Sequence, residues 1–523
     1  MIAIPRLLQE ALLATAARYP ERTALVAGNV RLSYREVADY ACRLAHALRS
    51  RGVERGDRVM IFMENDWRCA ASIFGVLLAG GVFVAVNAQT KRDKLAFILR
   101  DAGARVLLSE SHLARVFGPL VEQLPTLQVL CAPDTEELPA GVENVDEALI
   151  DMPATPPPQS TITLDLAALL YTSGTTGEPK GVMHTHQSLL FVLESINEYL
   201  GFSEDDRLFS ALPLNFGYGL FQWLSAVRAG ATLVLERSFA YPAQAFKRMR
   251  DEAATSFAGV PTMFAMLLAQ DAKQLLRFPS VRLLTNAAAA LPVEFIPGLR
   301  RLFPNARLCK MYGQTECIRS AYLEPALAEA KPESVGRAIP GTELLLLGED
   351  GRPVAVGEVG TLYVRGPHVM RGYWNQPERT AEVLTPNPLS GERLLRSGDL
   401  FRQDADGDFY FVARGDEIIK SRGEKVSPAE VENAIYCLPS VREAVVVGIP
   451  DPLLGEAVCA FVAPREGGQL SVQQIKRACG ERLENYMVPK YVLLVSDLPR
   501  TENGKLSRKL VLEQYAALLA ESA

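Results

Sequence analysis

The stretch from Cys69 to Gln89 constrains the fold most. It is the longest uncharged run in the chain, but Gly75, Gly80 and Gly81 interrupt it. A membrane helix needs about 20 consecutive, mostly apolar residues. The run instead divides into a buried helix over Ala70–Leu78, a Gly-Gly stop and a short buried strand over Val82–Val86.

The same alternation surrounds it. Leu7–Tyr19 is amphipathic, and Ser33 is placed to cap a helix from Tyr34 towards Arg51. Arg58–Phe62 and Val106–Ser109 read as strands. Helices alternating with strands predict βαβ units and a largely parallel sheet. Pro153–Pro158 is a connector, followed by an apolar strand at Ala167–Tyr171 and more βα alternation to about residue 340. Between Glu343 and Tyr373 short strands and turns predict a small β unit. The tail holds a helix (Pro428–Leu438), strands (Val441–Gly448 and Val458–Ala463) and a helix (Val472–Leu483). It is expected to be a small α+β domain. The expected division is 1–415 and 416–523.

A chain of 523 residues exceeds one ordinary domain. Its 48% hydrophobic and 22% charged residues are those of a soluble globular protein. The net charge of −6 is spread without blocks and predicts no nucleic-acid or membrane-surface partner. Eight cysteines form no C-x-x-C pair, which excludes a zinc ribbon or dithiol motif. Scattered thiols and a start without a basic head and apolar core predict a cytoplasmic protein.

The sharpest chemical signal is Tyr171-Thr172-Ser173-Gly174-Thr175-Thr176-Gly177-Glu178-Pro179-Lys180-Gly181. Glycines let backbone N–H groups approach an anion, hydroxyls add donors and the lysine adds charge. A triphosphate needs that set, although the Walker spacing is absent. His184 and His186 follow, without a third ligand for a metal. His186 is expected to be a supporting structural residue.

Further motifs follow in order. They are Leu212–Gly219, Asn286–Leu291, Tyr312–Glu316, Ser334–Arg337, Ser397–Asp399, Arg414–Asp416, Ser421–Val426 and Pro499–Lys505. With this series the chain resembles, over nearly its whole length, the adenylate-forming superfamily of acyl-CoA synthetases, peptide-synthetase adenylation domains and luciferases. The resemblance implies a large N-terminal domain of parallel-sheet α/β subdomains plus a small β unit. It also implies a smaller, mobile α+β C-terminal domain carrying a catalytic lysine.

The implied reaction joins a carboxylic acid to ATP, giving an acyl-adenylate and pyrophosphate. The acyl group then passes to the thiol of CoA or to the phosphopantetheine arm of a carrier protein. A degenerate nucleotide-binding homologue is the third reading, opposed by intact Lys505, Glu316 and Asp399. Thr172, Ser173, Gly174, Thr175, Thr176, Gly177 and Lys180 would cradle the phosphates. Glu316, aided by Thr315 and Thr175, would hold Mg²⁺, which favours one or two carboxylates plus phosphate oxygens. Asp399 and Arg414 would hold the ribose. Ala287, Ala288 and Ala289 would wall one adenine face, with Tyr312, Gly313 and Gln314 on the other. Lys505 would be the cation between carboxylate and α-phosphate. Asp416 would be the domain hinge, and Gly423 and Phe216 would line the thiol tunnel.

The implied acid pocket comprises Asn215, Phe216, Gly217, Tyr218, Phe221, Phe257, Gly259, Val260, Met311 and Ile318. It is apolar and roomy, as a fatty or aryl acid requires. Gly217 stands where amino-acid-activating relatives have an aspartate, which argues against an ammonium-bearing substrate. Arg319 would pair with a second carboxylate if it points inward and would be a solvated charge if outward.

Overall fold

The computed structural model describes residues 5–133, 138–173, 179–274, 276–386, 393–415, 417–421, 424–451, 454–467, 469–483, 485–501, 504–516 and 518. The uncharged run divides as its glycines dictate. Trp67–Ala79 is a helix buried along nearly its whole length, closed by Gly80 at φ +91°, and Val82–Asn87 is a buried strand. Glycine meets no Cβ penalty in that left-handed cap. Ser33 accepts from the Glu36 amide and caps Tyr34–Ser50.

Two large sheets carry the N-terminal body. In the seven-stranded sheet, Val142–Asn144, Gln128–Ala132, Ala104–Glu110, Arg58–Met63, Val82–Asn87 and Leu166–Ser173 run parallel. Pro179–Thr185 then returns antiparallel along the edge. In the second sheet, Thr23–Ala27, Thr232–Leu235, Arg207–Ser210, Ser256–Gly259, Leu283–Asn286 and Arg307–Tyr312 are parallel. The expected β unit is continuous with it. From Ala321–Tyr322 onward the strands turn antiparallel, and they extend past Tyr373 through Arg393–Gln403 and Phe409–Arg414.

The tail forms a separate sheet, with Val441–Asp451 and Gly455–Pro464 as its long central pair. Pro428–Tyr436 and Val472–Gly480 pack beside it. The second of these helices ends three residues before the expected Leu483, where Gly480 is its last helical residue. No helix among the described residues is long and apolar enough to cross a membrane. All eight cysteines are free thiols, and all but the half-buried Cys437 are buried.

Candidate active site

Two strand ends and one return strand supply the first cluster. Thr172 pairs in register with Lys180 across the Leu166–Ser173 hairpin. Its connecting loop, with Gly174, Thr175, Thr176 and Gly177, lies outside the described residues. The return strand is clasped by a later segment: the Met183 amide donates to Gly372 O at 3.0 Å and the Trp374 amide to Gly181 O at 2.7 Å. That clasp sets Tyr373 beside Lys180. Lys180 Nζ lies 3.1 Å from Glu316 Oε1 and 2.7 Å from the Tyr373 hydroxyl, which donates to the same Oε1 at 2.7 Å. Burial alone would raise the Glu316 carboxyl; Lys180 and Tyr373 outweigh it and hold it below its usual range. Glu316 is therefore an ionised, buried carboxylate at neutral pH, the hard donor that Mg²⁺ takes.

Tyr373 was not foreseen as a site residue, because nothing in its own neighbourhood marks it; the backbone clasp alone brings it in. His184 lies just behind and donates through Nε2 to the Thr315 carbonyl. Its Nε2 is 2.7 Å from Thr315 O, and burial lowers its pKa to about 4, so the ring is neutral. His186 has a different task. Its Nδ1 accepts from the Leu8 amide at 3.3 Å, which docks the N-terminal helix.

The second cluster surrounds Asp399, which pairs in register with Arg414. Gly398, at φ +78°, makes the bend that precedes it. The Tyr312 hydroxyl donates to Asp399 Oδ2 at 2.5 Å, and Arg414 Nε stands 3.6 Å from Oδ1. Gly313 is required on steric grounds, since a Cβ there would lie 2.3 Å from Ile318 O. Just past strand Leu283–Asn286, Ala287 is buried, Ala288 half-buried and Ala289 exposed. Ala288 has φ +75°, left-handed backbone that an alanine adopts at a cost.

The C-terminal unit brings Lys505 into this crevice. Thr262 donates to Gly504 O at 3.3 Å, anchoring the neighbouring residue to the N-terminal body. Lys505 Nζ rests 4.8 Å from the centre of the Phe216 ring. Burial, reinforced by Arg414 and opposed by Asp399, lowers its pKa to about 8. Asp416 and Gly423 lie outside the described residues.

The acid-pocket residues do not all share one space. Asn215, Phe216 and Gly217 are half-buried at the start of helix Gly217–Ala229, with Tyr218 and Phe221 buried behind them. A Cβ on Gly217 would stand 3.4 Å from Ile318 Cδ1, so these two face each other. Met311 and Val260 are buried nearby in the sequence of strand ends. Phe257 and Gly259 depart from expectation. Phe257 packs against Phe209, Phe239, Phe264 and Phe303. A Cβ on Gly259 would meet the Phe264 ring at 2.7 Å. Alternation along Ser256–Gly259 sends both to that aromatic core.

The pattern of the AMP-binding enzyme family matches residues 12–374, and that of the AMP-binding enzyme C-terminal domain matches residues 430–505. The chain is 33% identical to feruloyl-CoA synthase of Amycolatopsis sp, over 95% of the chain and 96% of that protein. It is 30% identical to tyrocidine synthase 3 of Brevibacillus parabrevis over 94% of the chain, but spans only 7% of that much longer protein. The crystal structure of the anthranilate CoA ligase AuaEII with anthranoyl-AMP superposes with a TM-score of 0.90 at 27% identity, covering 100% of this chain and 99% of that one.

Two predictions arise from this geometry. Replacing Ala288→Gly relieves about 1–2 kcal/mol of left-handed strain against about 0.5–1 kcal/mol of added chain entropy. Urea unfolding should show equal or greater stability, with the KM for ATP unchanged within a few-fold. A clear destabilisation would mean that the Ala288 methyl is needed for packing. Second, a Lys505 pKa of about 8 leaves the amine neutral above that value. If its positive charge is used, kcat/KM, which reports the free enzyme, should fall with a single-proton slope above about pH 8. Lys505→Arg should abolish that limb, and a limb that persists unchanged assigns it to another group.

Proposed function

The chain belongs to the AMP-binding enzyme family as an AMP-forming acid–thiol ligase, and we propose that it adenylates a fatty or aryl carboxylic acid and transfers the acyl group to CoA. The observation that supports adenylation is Lys505. A cation carried in from the C-terminal unit sits over Phe216, with Asp399 and Arg414 near enough to shift its titration. Attack of a carboxylate on the α-phosphate brings two anions together, and a placed cation stabilises that encounter most where charge builds up. Asp399 offers two acceptor oxygens for the ribose hydroxyls, and Tyr312 and Arg414 already orient them. Lys180 fits the outer phosphates, leaving the Glu316 carboxylate for Mg²⁺. The ion would neutralise charge on the phosphate chain when bound.

CoA as acceptor is supported by end-to-end similarity to a CoA synthase, against a 7% share of a multidomain peptide synthetase. Loading a carrier-protein arm is the second reading, since both acceptors present the same pantetheine. The division near residue 416 belongs to the proposal too. Lys505 would withdraw after adenylation and the Gly423 loop would take its place against the pantetheine, pivoting at Asp416.

Pyrophosphate exchange tests the first half-reaction. Lys505→Ala should lower it by about 10²-fold or more, the scale for removing a transition-state donor, with the melting transition preserved. Exchange near the wild-type rate would remove Lys505 from the reaction. Gly423→Leu separates the two halves: exchange should persist while thioester formation is largely lost. Equal loss of both rates would reject the two-state scheme.

A further inference from the structure

Arg319 settles on the inward side. It is 3% exposed, and no carboxylate of the described residues lies within ion-pair distance of it. Its guanidinium carbon stands 5.3 Å from the centre of the Tyr218 ring, and its Nε is buried without a hydrogen-bond partner. The charge is felt by the Tyr218 and Tyr199 hydroxyls and by Cys309. The Tyr199 hydroxyl donates to the Met311 sulfur at 3.2 Å and also lies within hydrogen-bonding reach of the guanidinium. Tyr218 is committed to Thr285 at 2.6 Å. The cation is therefore packed among tyrosine rings and a neutral hydroxyl, with no carboxylate of the described residues to neutralise it, which a fold tolerates only at a cost.

The backbone holds it there under strain. Ile318 has φ +60°, an outlier for a β-branched residue. The turn is tight: the Ile318 amide donates to Gln314 O and the Arg319 amide to Cys317 O, each at 2.6 Å. Strained backbone persists where the surroundings over-determine it, and it gathers at ligand sites. This turn places Ile318 against Gly217, in the acid pocket, and directs the next residue behind it. A solvated surface arginine would need neither the strain nor the burial.

From this we propose that the acid substrate carries a second anionic group, a carboxylate in the simplest case, which Arg319 receives at the inner end of the pocket. A guanidinium matches a carboxylate through two parallel N–H donors, so the pairing selects geometry as well as charge. One carboxylate is activated near Lys505 while the other anchors the acid. The inference rests on the adenylation reading and narrows its fatty or aryl acid to a diacid.

The test is pyrophosphate exchange with matched pairs that differ only at the far end: hexanoate against adipate, and para-toluate against terephthalate. The wild type should favour at least one diacid over its partner by roughly tenfold or more in kcat/KM, the discrimination expected when a buried polar group is otherwise left unpaired. Arg319→Met should erase or invert that preference, chiefly through KM for the diacid, with exchange for the monoacid kept or improved. Arg319→Lys, which keeps the charge but not the fork, should fall between them and guards against misfolding of the methionine variant. A wild-type preference for the monoacid in both pairs overturns the inference, as does an equal loss for both members in Arg319→Met. Exchange with no acid of either kind is a different failure: it removes the adenylation reading, and this one with it.

Discussion

Burying cations without giving each a carboxylate is the constraint around which the site is built. Lys180 is neutralised by Glu316. Lys505 has no comparable ion pair among the described residues, and Arg414 adds to its burial penalty while Asp399 offsets part of it. A buried ammonium responds to such a setting by lowering its pKa. In the proposed reaction, anions would complete the site: the nucleotide phosphates and the acid. On that reading the fold sets aside some stability so that electrostatic stabilisation is already oriented when charge develops.

One short segment ties the separate tasks together. Tyr312 orients Asp399, Gly313 permits the turn and Glu316 pairs with Lys180. Ile318 then faces Gly217. Within seven residues the chain passes from the expected nucleotide face to the expected acid pocket. The turn at Ile318 makes that passage short enough, and the strain at φ +60° is the local cost of the sharp change in direction. Substitutions in this segment should therefore couple nucleotide and acid binding, as residues sharing one backbone feature do.

Much of the frame was legible because it follows from local rules. Gly80 ends one helix, Ser33 begins another, and the apolar run at Val82 can only be a buried strand. The ordered motifs placed Lys180, Glu316, Tyr312, Asp399 and Lys505 on elements that converge in space. What was hidden depended on side-chain direction or long-range pairing. Phe257 and Gly259 are near the pocket in sequence but face the opposite layer, a matter of strand parity that the motif does not encode. Tyr373 joins Lys180 only through a backbone clasp between segments about 190 residues apart. His186 carries a buried ring nitrogen to the N-terminal helix, a partner that sequence cannot name.

The contrast between Lys505 and Arg319 shows how placement assigns chemistry to two cations. Lys505 arrives on the C-terminal unit, which touches the body through Gly504 on Thr262, Cys437 on Glu294, Tyr436 against Phe295 and Lys505 itself on Phe216. In the proposed scheme it is needed for one step and must release these contacts to leave. Arg319 lies in the connection between strands Arg307–Tyr312 and Ala321–Tyr322 of the second sheet, held by a strained turn and by packing on Tyr218. That setting fixes its orientation, which suits the substrate-reading role proposed for it. A mobile lysine is a compact point charge and tolerates approximate placement, whereas a planar guanidinium repays a fixed orientation with two directed bonds. In the proposed scheme, chemistry falls to the unit that would move and selectivity to the sheet that would not.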